Sequence, residues 1–172
     1  MSFTYDYPRP AVTVDAVIFC LLEHELKVLL IKRKNSPFEG CYSFPGGFMD
    51  MDEPPELAVK RELAEETGLR VDDVIQVGAF GDPDRDPRHR TISIAYMSVI
   101  TEEREVKAAD DAQKACWFSL DDMPTQLAFD HEDMLQQVKV FADMYFRTAI
   151  PDSAEAFFLN QEQIDAFQNY IA

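Results

Sequence analysis

Between Gly47 and Leu69 the chain reads GFMDMDEPPELAVKRELAEETGL, and this run constrains the fold more than any other stretch of its 172 residues. It fits G-x5-E-x7-R-E-U-x-E-E-x-G-U, with U apolar, through Gly47, Glu53, Arg61, Glu62, Glu65, Glu66 and Gly68, and it places Leu63 and Leu69 in the apolar slots. If each fixed residue type occurs at roughly 6%, seven matches in register arise by chance at fewer than about one in a hundred million starting positions. The spacing calls for a loop followed by a helix. Pro54 and Pro55 suit a first turn that has no use for their missing amide donors, and Glu56 adds negative charge at the positive end of the helix dipole. Gly68 supplies a left-handed stop. A helix is therefore predicted from about Pro54 to Thr67, with Leu57, Ala58, Ala64 and Leu69 facing the interior.

On that helix Glu62 precedes Glu65 by three residues and Glu66 by four, which gathers three carboxylates on one side of two turns. Arg61 is placed to neutralise and hold Glu53 from the preceding loop. A solvated acidic face is the default for an arbitrary Glu-rich helix. Like charges at this spacing, however, destabilise a helix by about 0.2 to 0.5 kcal/mol per pair. A hard divalent cation removes the conflict, because Mg²⁺ or Mn²⁺ takes carboxylate and carbonyl oxygens and completes its shell with water and phosphate oxygens. The complete pattern favours the metal site over the solvated face.

Through these residues the chain resembles the Nudix hydrolases, which cleave nucleoside diphosphates linked to another group. The box covers residues 47 to 69, and the surrounding predicted elements agree with that fold over about residues 10 to 147. The resemblance implies an α/β chain, a Nudix-type α/β/α sandwich with a mixed central sheet. It implies Mg²⁺ (or Mn²⁺) bound by Glu62, Glu65, Glu66 and the backbone carbonyl of Gly46, with Glu53 and Arg61 as a supporting ion pair. The implied chemistry is attack of a metal-activated water on phosphorus. Two carboxylates are candidates for the base: Glu65 on the box, or Asp111, delivered by the acidic stretch from Glu102 to Asp111.

Between two predicted strands runs GDPDRDPRHR, in which Arg85, Arg88 and Arg90 offer planar forks for phosphate or sugar oxygens. Asp82 and Asp86 are placed to accept from ribose hydroxyls. This loop, with residues 7–19 and 127–135, is similar to the ADP-ribose pyrophosphatase branch of the family, which implies AMP and ribose 5-phosphate as products. Other nucleoside diphosphate derivatives, oxidised nucleoside triphosphates and CoA remain alternatives, since specificity lies in loops rather than in the box. Arg33, at the end of a strand near SFPGG, is a further candidate for a phosphate contact, with a solvated basic rim as the alternative. Tyr5, Tyr7 and Phe44 are candidates to stack on adenine. His131 reads as structural.

A chain of 172 residues can bury a full core as one domain. Its net charge of −16 argues against a general affinity for nucleic acid, whose phosphates demand a basic surface. It leaves room for a small anionic substrate, because bound cations and local arginines can invert the field inside a cleft. Cys20, Cys41 and Cys116 are odd in number and lack metal-ligand spacing, so reduced thiols and a cytoplasmic address are expected. The start lacks a basic leader with an apolar core, and the apolar run Ala16 to Leu22 is too short to span a bilayer.

The β-branched run Val12 to Leu22 predicts a central strand, followed by strands at Leu26 to Lys32, Val74 to Phe80, Thr91 to Ile100 and Lys114 to Phe118. Asp130 is placed to cap a second long helix, His131 to Phe146, whose buried stripe is Met134, Leu135, Val138, Phe141 and Tyr145. Residues 1–147 form the predicted main domain. Residues 148–172 form a helical extension packed on it or on a dimer partner, opened by Asn160 and Gln163 and carrying Ile164, Phe167 and Ile171. The resemblance also implies a homodimer. Some relatives that control NAD metabolism are DNA-binding regulators, but these last residues contain no Lys or Arg, which favours a capping or dimer-forming helix.

Overall fold

The parity of one strand organises the molecule. Strand β1 (Ala11–Leu22) is buried on both faces from Val14 to Leu21, as a central strand covered by helices must be. Successive side chains point to opposite faces, so Val17, Phe19 and Leu21 join one apolar cluster while Val14, Ala16 and Ile18 join another. The computed structural model describes residues 4–22, 25–108, 112–148 and 159–171.

Strand β2 (Glu25–Arg33) pairs antiparallel with the second half of β1. The short strands β3 (Tyr42–Ser43) and β4 (Gly46–Phe48) follow, then helix α1 (Pro55–Thr67). Strands β5 (Ile75–Phe80), β6 (Thr91–Ile100) and β7 (Ala112–Ser119) precede helix α2 (His131–Thr148) and helix α3 (Gln161–Ile171). The sheet runs β3-β2-β1-β6-β5, with β4 paired to β1 and β7 to β2. β1 and β6 are parallel from Ala11↔Thr91 to Cys20↔Ile100, and the other pairings are antiparallel. The mixed sheet between helices is the expected α/β/α sandwich.

The α1 face of the sheet is closed by Ala58, Val59, Leu63 and Leu69. Leu57, expected inside, is 55% exposed. The buried row runs Val59, Leu63, Thr67 in steps of four, and Leu57 lies about 200° around the helix from Val59. Pro54 flanks the start, and Gly68, at φ 72, ends the helix with its N–H donating to the Ala64 carbonyl.

The opposite face is closed by α2 and α3. Met134, Leu135, Val138, Ala142 and Phe146 are buried, and the expected Phe141 and Tyr145 pack at its margin. Asp130 stands at the start of α2, but its carboxylate receives the Arg85 fork. Asn160 and Gln163 exchange backbone N–H to side-chain hydrogen bonds of 2.9 Å, a reciprocal cap that opens α3. Phe167 then stands edge-on to Phe19 at 5.3 Å and Phe146 at 5.1 Å. Among the described residues no helix is long and apolar enough to cross a membrane.

Candidate active site

Beyond the reach of α2, the odd-numbered face of β1 turns polar. Thr13 and Asp15, with Ser93 and Thr91 from β6, continue the face that carries Val17 and Phe19 further along. Helix α2 begins only at His131, so this end of the sheet is roofed by loops and a cleft remains. Its walls come from Arg33 on β2, Phe44, Gly46 and Phe48 around β4, Glu66 on α1, and Arg85, Asp86 and Arg88 from the loop before β6. Lys34 also lines it. A chain of net charge −16 thus gathers four cationic side chains around one cavity.

The box supplies the acidic edge. Strand β4 is held on β1 by Asp15↔Gly46 and Val14↔Gly47. A Cβ on Gly46 would lie 2.1 Å from the Val14 carbonyl oxygen, so only glycine fits there, and one on Gly47 would lie 2.7 Å from the Glu62 carboxylate and push it aside. The Gly46 N–H donates to Glu66 Oε2 at 2.8 Å. Burial pushes the Glu66 carboxyl up to about 8, with the Gly46 N–H partly offsetting it. Glu62 is also raised by burial, against the lowering effect of Arg61.

Arg61 is the hub of the acidic helix. It donates to Glu53 at 2.6 Å, to Glu62 and Glu65 at 2.9 Å each, and to the Phe48 carbonyl at 3.1 Å. Its hydrogen bonds to Glu53, aided by the Asp50 N–H, hold the Glu53 carboxyl below its usual range. Among the described residues no ready-made ion cage exists, because Glu62 and Glu65 are both turned to this guanidinium. The donor set nevertheless fits a hard cation. All of its atoms are oxygens, and two of its carboxyls are pushed toward protonation by burial, a cost that a divalent ion removes.

The arginine loop divides in two. Arg85, 8% exposed, forks onto Asp130 at 2.8 and 2.7 Å, and Arg88 forks onto Asp86. Burial opposes ionisation of Asp86, yet the Arg88 side-chain and backbone hydrogen bonds hold it at about 2. Arg88 also lies 5.5 Å over Phe48 and 5.7 Å over Phe129. Arg33 covers Phe129 at 4.8 Å. Phe129 itself adopts φ 55, a left-handed conformation uncommon for an aromatic residue.

Of the residues expected from sequence, Arg33, Phe44, Gly46, Glu66, Arg85, Asp86 and Arg88 line this cleft. Glu62 and Glu65 stand beside it on α1, and Glu65 is exposed. Asp82 and Arg90 are exposed and are not among the residues lining it. Phe44 is 1% exposed and stacked on His131 at 5.1 Å, so it is core and has no face for a base. Tyr5 and Tyr7 lie on a separate surface. Asp111 lies outside the described residues.

Asp15, Phe48 and Phe129 line the cleft and escaped the sequence reading, as did Ser93, which stands behind the cleft against Asp15. His131 was assigned to structure alone, yet it too lines the cleft. A signal existed for Asp15, which is the one acid in an apolar strand run, and a buried carboxylate there needs partners. Ser93 Oγ donates to Asp15 Oδ2. The Phe44 N–H donates to His131 Nδ1 at 3.0 Å, which leaves the proton on Nε2, 3.5 Å from Asp15 Oδ1. Complete burial lowers the His131 pKa and keeps it neutral.

The family model described as NUDIX domain matches residues 12–138. The chain therefore belongs to the NUDIX family, and its enzymatic class is that of a Nudix pyrophosphohydrolase. It is 47% identical over 130 residues to an ADP-ribose pyrophosphatase of Methanocaldococcus jannaschii, with 76% of this chain and 73% of that one covered. It is 35% identical over 135 residues to the ADPR responsive transcriptional repressor NtrR of Acinetobacter baylyi, covering 77% of this chain but 54% of the repressor. Among solved structures, the Nudix domain of Shewanella oneidensis NrtR complexed with ADP ribose superposes with a TM-score of 0.72 at 34% identity, covering 79% of this chain and 92% of that one.

Proposed function

We propose that this protein hydrolyses ADP-ribose to AMP and ribose 5-phosphate by attack of water on phosphorus, with Mg²⁺ or Mn²⁺ bound at the box. The observation that carries the reading is the cleft itself, where arginines face the Glu66–Gly46 edge in a strongly acidic chain. Glu62, Glu65, Glu66 and the Gly46 carbonyl would hold the ion. When bound, it supplies charge neutralisation on the diphosphate and lowers the pKa of its water. Glu53 and Arg61 position the acidic helix. Arg33, Arg85 and Arg88 hold the anionic substrate, and Glu65, exposed at the helix edge, is the leading base, with Asp111 the alternative. The M. jannaschii relative supports this substrate by its name. A homodimer in the cytoplasm completes the proposal.

The test offers purified protein, with Mg²⁺ or Mn²⁺, ADP-ribose beside NADH, CoA and 8-oxo-dGTP. Preferred release of AMP from ADP-ribose is expected. Faster turnover of another of these compounds reassigns the substrate. A second reading, an ADP-ribose-responsive regulator, is favoured by the repressor match. DNA binding at moderate salt, with no turnover, would establish it in place of the enzyme.

A further inference from the structure

We propose that the Asp15 carboxylate reads the sugar of the substrate, accepting hydrogen bonds from a ribose vicinal diol carried beside the diphosphate. This rests on the ADP-ribose reading and assigns one specificity-determining residue within it.

The loop acids are committed elsewhere. Asp86 is gripped by Arg88 and Thr91, Asp130 by Arg85, and Asp82 is exposed outside the cleft. Asp15 receives one hydroxyl and a more distant guanidinium rather than a fork. It is 6% exposed, lines the cleft, and is placed there by the parity of β1 rather than by a loop. Oδ2 accepts from Ser93 Oγ and lies 3.9 Å from Arg85 Nη2. Oδ1 lies 3.5 Å from His131 Nε2, beyond the normal range of an N–H···O bond. Both oxygens keep acceptor capacity, since an ionised carboxylate has about four lone-pair sites.

Position then selects the group. Oδ1 lies 2.9 Å from where a Cβ on Gly46 would stand, on the residue whose N–H meets Glu66. A ligand group on Oδ1 is therefore a neighbour of the proposed diphosphate and ion site. A phosphate brings acceptors alone, so the neutral donors that the same substrate carries beside its diphosphate are the hydroxyls of the sugar. A carboxylate is the usual partner of ribose hydroxyls.

ADP-ribose contains two ribose units, and paired competitive inhibitors separate them. Wild-type protein is first assayed on ADP-ribose, and absence of turnover overturns both this inference and the reading beneath it. With turnover established, AMP is compared with 2′-deoxy-AMP, and ribose 5-phosphate with 2-deoxyribose 5-phosphate. In one pair the deoxy compound is expected to bind about ten- to a hundredfold more weakly, the range for a hydrogen bond to a charged group. That pair identifies the ribose. Equal binding within both pairs overturns the inference and leaves the hydrolase intact.

In Asp15→Asn the discrimination is expected to shrink, with the loss falling more on KM than on kcat. Discrimination that survives in Asp15→Asn overturns the inference, including the case in which the Mg²⁺ needed for half-activation shifts instead. Should that variant fail to fold, Ser93→Ala, which removes the hydroxyl holding Oδ2, carries the same readout. Weakened discrimination is expected, and unchanged discrimination counts against the inference.

Discussion

Glu66 combines a buried position with a carboxyl pushed up to about 8, so in the ion-free chain its proton and a cation compete for the same oxygens. Glu66→Gln keeps an oxygen acceptor for the Gly46 N–H and removes the cost of burying an ionisable carboxyl. Turnover should fall by more than about a hundredfold, while the urea midpoint holds or rises. Near-normal turnover would remove Glu66 from the ion's shell. His131 gives a prediction with a definite sign. Its folded pKa lies below the usual 6.5, so the unfolded chain binds the proton first and stability is lost as pH falls below about 6.5. His131→Gln should flatten that loss in urea titrations from pH 7.5 to 5. Equal slopes would mean that His131 is not held neutral. At this scale the box was legible because its residues are fixed by sequence spacing. Asp15, Ser93 and Phe129 were not, because Asp15 meets Ser93 only across the β1–β6 pairing, and Phe129 reaches the same cleft as Asp15 only when the segment before α2 is brought in.

Elements were legible where a stop or a period was strong. Gly68 marked the end of α1, and the reciprocal Asn160–Gln163 cap was readable from its three-residue spacing. The face of α1 was legible in part: Ala58 and Leu69 are buried as expected, but Leu57 is exposed where Val59 is buried, and Glu66 and Thr67 join the buried residues although an apolar count places neither there. The short strands β3 and β4 have too few residues for any period, and they exist through pairing with β2 and β1. Helix α3 packs Phe167 between Phe19 and Phe146, so Phe167→Ala should cost about 3 to 5 kcal/mol in denaturant unfolding. A cost under about 1 kcal/mol, the range of an ordinary surface substitution, would mean that α3 contributes little to the fold.

At the scale of the whole molecule, two fields of opposite sign act on an anionic substrate. The net charge of −16 repels it from afar, and the cationic lining attracts it at close range. Salt separates the two, since screening reaches about 30 Å at 0.01 M but about 3 Å at 1 M. The kcat/KM for ADP-ribose should rise from about 0.01 to 0.15 M salt as the distant repulsion is screened, then fall toward 1 M as the cleft attraction is lost. A steady decline across the range would mean that the outer charge is not felt.

Strands β1 and β6 lie side by side and point the same way, although almost seventy residues separate Leu22 from Thr91 along the chain. The acidic helix and the arginine loop both lie on that long connection. During synthesis a chain halted before Thr91 leaves the ribosome would already carry the complete box, yet would have no cavity in which to use it. The two ingredients of the chemistry are made early and stay apart until one late strand docks, so a truncated product would be inert rather than indiscriminately reactive.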